Sequence, residues 1–203
     1  MRQIILTSLI FFSFAVSANT EDPEKMLRQA ASSMTQILDS NPSRIKEDTS
    51  FAEQVVRENL LPLIDTQGIG RRLLTTKQWG QLSDDQQKRF NDAFINHLIK
   101  TYSSGLSNYD GHRFVFKKTQ YNHNRRTAWV NSDIISQDNE TFNVLYTLKK
   151  SGNYQGWRVV DISVNGIKVL QNYREQLKTV DLTQGFDELI LKIEQASDET
   201  DKK

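Results

Sequence analysis

Few side chains in this 203-residue chain stand at spacings that could do chemistry. His97, His112 and His123 each lack a second histidine or a carboxylate at the i+2 or i+4 position of a metal motif, so they read as surface or strand-edge imidazoles. No Gly-x-Ser-x-Gly elbow occurs, which argues against a serine hydrolase. Asp161 is the most interesting carboxylate, because it sits mid-strand among Val159, Val160, Ile162 and Val164. Inside a conical α+β fold, burial would raise its pKa and suit it to general-base work. Strand alternation also lets it face away from the helices and pair with Arg126 or Arg158, and this structural role is the preferred one. The run Gly68-Ile69-Gly70-Arg71-Arg72 lacks the third glycine, preceding strand and Lys-Ser ending of a phosphate loop. Two readings stay open for it: glycines that let helices pack closely, and Arg71 or Arg72 reaching a lipid phosphate or an acidic partner.

The elements that would position these groups come in two blocks. Asp22, Pro23 and Glu24 form a helix start, followed by the apolar stripe Met26, Leu27, Ala30, Met34, Ile37 and Leu38. After a break at Asn41-Pro42, Ser50 with Glu53 predicts a capping box for a second helix, which Pro62 kinks or ends. A short third helix is expected over about Leu63 to Leu74. Ser83 with Gln86 opens a long helix carrying Phe90, Phe94, Leu98, Tyr102 and Leu106 on one face. Asp84 and Asp85 fall in its first turn, where negative charge suits the helix dipole. From His112 onward the period alternates, predicting strands near His112 to Tyr121, Arg125 to Ser136, Thr141 to Lys150 and Trp157 to Val164. One more amphipathic helix, with Phe186, Leu189, Ile190 and Ile193, closes the chain. Helices first and antiparallel strands second imply an α+β domain with a four-stranded sheet and helices on one face.

Composition narrows the function. The start of the chain has Arg2, an apolar stretch from Ile4 to Val16, and Val16-Ser17-Ala18 as a small-residue cleavage site. This is the pattern of a cleaved signal peptide over residues 1–18, too short for the roughly 20 residues of a membrane span. No cysteine follows it to carry a lipid anchor, so an exported, unanchored protein is expected. The sequence has 26 basic and 25 acidic residues, and the leader holds Arg2 and no acid, leaving 25 against 25. A balanced charge argues against nucleic acid as a partner. The absence of cysteine removes disulfides, thiolate metal sites and cysteine nucleophiles. A single domain is expected over residues 19–196, with a disordered charged tail over 197–203.

The rest of the signal is apolar. Leu60, Ile64, Ile69, Leu73, Phe94, Leu98 and Tyr102 are offered by the helices, and Phe142, Val144, Tyr146, Val160, Ile162 and Val164 by the sheet. Periodicity does not distinguish a filled core from a lined cavity. The run Trp157 to Leu177 adds a corner: a β-branched strand, a tight Asn165-Gly166 turn, then a helix with Ile167, Leu170, Tyr173 and Leu177 at helical spacing.

That run resembles the end of the core in the periplasmic MlaC family, the toluene-tolerance proteins. Trp157, the strand ending Asp161-Ile162-Ser163-Val164, Gly166-Ile167 and Tyr173-Arg174 all fit the family's pattern, with Lys168 where a serine is usual. Val55 to Gln81 is similar to its Leu-Pro-x-x-Asp segment, short helix and Trp, with Thr75 where a glycine is common. Phe90, Phe94, Tyr102, Leu106, Tyr109 and Gly111 follow its long helix, and Gly185 to Ile190 its closing one. The resemblance implies a conical, nuclear-transport-factor-like core with an N-terminal helical part, and a lipid cavity between helices and sheet. It implies a monomeric phospholipid carrier of the periplasm, without cofactor or enzymatic activity, that maintains outer-membrane lipid asymmetry. Its partners would be an outer-membrane lipoprotein–porin complex and an inner-membrane ABC transporter with an MCE-domain subunit. The apolar residues named above, together with Ile167, would then line the cavity, with Val160, Ile162, Val164 and Ile167 inward. A small conical-fold enzyme using Asp161 and a ligand-free periplasmic adaptor are the competing readings.

Overall fold

The computed structural model describes residues 22–150 and 154–200, so the expected leader and residues 201–203 lie outside the described residues. Asp22 caps α1 (Pro23–Ser40), its Oδ1 accepting from the amides of Glu24 and Lys25 at 2.9 and 3.2 Å. The break at Asn41 and Pro42 holds a short helix of its own, α2 (Pro42–Glu47). In α3 (Thr49–Asn59) the cap is Asp48, which accepts from the Phe51 amide at 2.9 Å, and not the Ser50–Glu53 box. A carboxylate caps as well as a hydroxyl and its charge also suits the dipole. Pro62 lies in a 3-10 turn, Leu61–Leu63, and α4 (Ile69–Leu73) is far shorter than the predicted helix. The reason is that the chain is drawn onto the sheet: Ile64 bridges Val159 in parallel, and the Asp65 amide donates to the Val159 carbonyl at 2.9 Å. An unforeseen helix, α5 (Thr76–Gln81), follows behind a Thr75–Gln78 capping box. Ser83 and Gln86 form the expected box for α6 (Asp84–Ser103).

The sheet comprises β1 (Arg113–Phe116), β2 (Gln120–Tyr121), β3 (Thr127–Ile135), β4 (Thr141–Lys150), β5 (Trp157–Val164) and β6 (Ile167–Lys168). The order is β1-β3-β4-β5-β6, with β2 also on β3, and every pair is antiparallel. The α+β class stands, but among the described residues six strands replace four, two of them only two residues long. The first predicted strand is divided by a bulge: between the pairs Phe116–Ser132 and Gln120–Trp129, three residues oppose two. A second bulge in β5 leaves Val160 without a partner on β4, and Val159 and Val160 are both buried. Asn165 and Gly166 take φ of 49° and 83°, the paired left-handed conformation of a two-residue hairpin. The chain therefore folds back as β6 before entering α7 (Val169–Leu177). In α8 (Leu182–Thr200) the charged end expected to be disordered from residue 197 continues the helix as far as Thr200.

Apolar burial is divided among three clusters. A helical core joins α3 to α8 through residues such as Ile69, Leu73, Trp79, Phe90, Phe94 and Ile190. A sheet core sets Met26 and Leu27 of α1 against Ala128, Val130, Leu148, Trp157 and Val159. A smaller one gathers Met34, Leu38, Ile45, Ala52 and Val55. The strands are touched mainly by α1, by α7 and by the Leu61–Leu63 turn, whereas α6 packs on α3, α4 and α8.

Candidate functional site

Five consecutive residues cross from one core to the other. Leu60 and Leu61 pack half-buried on the helical core, while Leu63 and Ile64 pack half-buried on the sheet core. Pro62 between them limits backbone freedom and removes a donor, which favours the tight 3-10 path. A cavity of about 270 Å³ opens at this seam, lined by Arg57, Leu61, Pro62, Ile64, Thr66 and Tyr154. The lining is mostly apolar, with Arg57, Thr66 and Tyr154 supplying its polar groups. A separate, larger groove of about 600 Å³ runs between α1 and β1, where Arg28, Asp39, His112 and Arg113 share the lining with Ala31, Phe114 and Phe116.

The predicted lining residues divide three ways. Ile69, Leu73 and Phe94 are fully buried inside the helical core, and Val144 and Val160 are buried in the sheet. Leu60 and Leu98 lie half-buried on the helical core, and Ile64, Tyr146 and Ile162 lie half-buried on the sheet core; of these five, Ile64 lines the cavity at the seam. Phe142 is half-buried on the face of β4 that also carries Val144 and Tyr146. Tyr102, Val164 and Ile167 are exposed, at 50, 36 and 62%. Ile167 is thus not an inward wall residue. The hairpin carries β6 to the sheet edge, and its side chain goes with it. Of the cavity's lining, Leu61, Pro62, Arg57, Thr66 and Tyr154 escaped the sequence reading as site residues. Leu61 belongs to a legible apolar run, whereas nothing local marks Tyr154.

Several polar groups find structural partners. Arg72 Nη1 pairs with Asp65 Oδ2 at 2.7 Å, and the Gly68 amide donates to Asp65 Oδ1 at 3.1 Å. A Cβ on Gly70 would meet the Trp79 ring at 2.1 Å, so this glycine serves close packing, and Arg71 lies over the same ring at 5.9 Å. The glycine-arginine run is therefore a packing and bracing element. Asp161 accepts from its own neighbour's amide, Ile162, at 2.9 Å. Arg158 turns instead to the carbonyls of Gln155 and Trp157, so the expected pairing of Asp161 with Arg158 does not form. His97 is not at the surface: it is buried on α6, its Nε2 3.1 Å from the Tyr173 hydroxyl on α7. Burial lowers the pKa of this imidazole and raises those of the Tyr102 and Tyr173 phenols. Phe94 meets Tyr173 edge-on at 4.9 Å, completing an aromatic joint between the two helices.

Among the described residues no group of histidine, cysteine and carboxylate side chains could hold a metal, and no helix is long and apolar enough to cross a membrane. A half-buried seam between two cores, with a mostly apolar lining, is a place for an apolar ligand.

Comparison with known proteins shows the family and the fold. The family model described as MlaC protein matches residues 28–195, and the chain belongs to that family. It is 24% identical to the intermembrane phospholipid transport system binding protein MlaC of Haemophilus influenzae, over 95% of this chain and 89% of that one. It is 22% identical to the toluene tolerance protein ttg2D of Pseudomonas putida, over 100% of this chain and 96% of the relative. Among solved structures, the phospholipid-binding protein of Ralstonia solanacearum, in complex with a phospholipid, superposes with a TM-score of 0.77 at 21% identity. That match covers 88% of this chain and 98% of the other, and it shows the same fold.

Proposed function

We propose that this protein is a phospholipid carrier of the periplasm that takes acyl chains into the seam between its helical and sheet cores. The observation that carries the reading is the seam itself, where Leu60 to Ile64 pass between two separately buried cores in a chain of this family. The relatives' names, phospholipid transport and phospholipid binding, supply the ligand class. Its route runs between an outer-membrane lipoprotein–porin complex and an inner-membrane ABC transporter with an MCE-domain subunit. The protein acts as a monomer, catalyses no reaction and needs no cofactor beyond its cargo.

The energetics suit a carrier that releases only on docking. Two chains of about 16 carbons, at roughly 0.8 kcal/mol per buried CH₂, gain on the order of 25 kcal/mol gross relative to water. Release into solution is then negligible, and a docking partner has to open the seam. Two chains call for a cavity of about 1,000 Å³, against about 270 Å³ at the seam here. Loading must therefore part the helical and sheet walls near Pro62.

Native mass spectrometry of the protein, gently purified from the periplasm, tests the reading directly. Co-purified phospholipid is the expected result. A bare mass together with no uptake from phospholipid vesicles would refute carriage and favour an adaptor.

A further inference from the structure

The cavity at the seam has one cation on its rim. Arg57, in the last turn of α3, donates from Nη1 to Asn96 Oδ1 at 3.0 Å, and its Nη2 stands 3.5 Å from Glu53 Oε2, the outer limit of a hydrogen bond. Of the five N–H donors of a guanidinium, one thus serves a neutral amide and one makes a long contact to a carboxylate. In the same lining, the Tyr154 hydroxyl oxygen accepts from the Gln67 amide at 3.2 Å and lies 3.3 Å from Thr66 Oγ1. The bond between the two hydroxyls uses one of their two protons, which leaves the other to donate elsewhere. An arginine and a hydroxyl donor therefore line one cavity together with Leu61, Pro62 and Ile64. Donors of this kind beside apolar side chains suit an anion with an apolar body attached, and arginine is the side chain best matched to phosphate oxygens.

We infer that Arg57, with a hydroxyl of the Thr66–Tyr154 pair, binds the phosphodiester of a phospholipid whose chains lie in the seam. This rests on the carrier reading and adds to it a recognition element. The phosphodiester is common to all glycerophospholipids, so the site separates phospholipids from uncharged diacylglycerols without reading the headgroup beyond it. Glu53 competes with the phosphate for the guanidinium and so tempers the affinity.

The test uses the full protein, stripped of lipid, and vesicles of phosphatidylglycerol containing a minor share of diacylglycerol with the same chains. Bound lipids are read by mass spectrometry, and folding is followed by thermal unfolding. The wild type should enrich phosphatidylglycerol over diacylglycerol relative to the vesicle. Arg57→Ala should lower that enrichment about tenfold, the size of one charge-assisted hydrogen bond. Arg57→Lys, which keeps the charge, should fall between the two and serves if the alanine variant does not fold. Glu53→Gln should raise the enrichment. An unchanged ratio in folded Arg57→Ala or Arg57→Lys, or a wild-type ratio equal to the vesicle's, overturns the inference while leaving carriage intact. Failure to bind either lipid overturns the carrier reading itself. Inorganic phosphate, tested alone by equilibrium dialysis, separates the remaining source: Arg57-dependent phosphate binding without lipid enrichment would assign the rim to the free ion.

Discussion

Asp65 holds the seam's sheet-side wall in place, and removing its carboxylate should cost more than its position at the end of a turn suggests. Its backbone amide ties the chain to Val159, while its side chain takes the Gly68 amide at 3.1 Å and Arg72 Nη1 at 2.7 Å. In Asp65→Ala both side-chain bonds vanish and Arg72 keeps only the Asp65 carbonyl. A bond to a charged group contributes about 1.5–3 kcal/mol and a neutral one about 1. The Arg72 side chain is 26% exposed, so water recovers part of the loss, although its Nε is buried without a partner. The expected destabilisation is about 2–4 kcal/mol, or a fall in Tm of roughly 5–12 °C for a domain of this size. Asp65→Asn retains an acceptor for Gly68 and loses the ion pair, so it should cost about half as much. Circular dichroism during heating, with urea titration as a check, measures both. If Asp65→Asn and Asp65→Ala are equally stable, or both match the wild type, the brace does not hold the wall. A cycle with Arg72→Ala isolates the pair, and coupling near zero would likewise remove the brace.

Gly70→Ala drives a methyl group into the Trp79 ring and should cost about 1–3 kcal/mol through overpacking, visible as an earlier urea midpoint. Burial depresses the His97 pKa below its usual 6.5, so its contribution is complete above that value and declines as pH falls below it toward the folded-state pKa. The urea midpoint should therefore drop between about pH 7.5 and pH 5, and His97→Gln should flatten that dependence; an unchanged slope would show that His97 is not responsible. Ile167→Glu, at a position 62% exposed, should leave stability within about 0.5 kcal/mol of wild type. Its lipid retention, measured by co-purified phospholipid, should match the wild type's, and a clear loss would put Ile167 back in the wall.

The sequence reading succeeded where local rules decide. The Asp22 cap and the Ser83–Gln86 box set helix starts as expected, because each needs only residues three positions apart. The Thr75–Gln78 box was equally local and was overlooked, which cost α5. Ser50 and Glu53 failed as a start signal because Asp48, two residues earlier, offers a carboxylate to the same helix end. Longer-range competition was illegible: Ile64 leaves a helical pattern for Val159, which lies 95 positions away and becomes a partner only in the folded sheet. The candidate site was little legible for the same reason, with Ile64 the one lining residue that the apolar pattern offered. Phe94 and Leu98 read alike along α6, but one is buried within the helical core and the other stays half-buried on its surface. Which outcome holds depends on the spacing between layers, and periodicity carries no record of that distance. Tyr154 joins the rim through the fold alone.

Under the proposed function, two cores that meet without merging give the cargo a thermodynamic role beyond being carried. A molecule that binds the folded chain and not the unfolded one raises stability by RT ln(1 + [L]/Kd), about 4 kcal/mol at a thousandfold excess over Kd. Acyl chains lodged between Leu61 and Ile64 would complete the hydrophobic interior, so the loaded and unloaded proteins differ in how readily they open. Delivery of lipid then removes part of the protein's own interior. The unloaded carrier should be the form that proteases cleave first, which ties its lifetime to the supply of lipid.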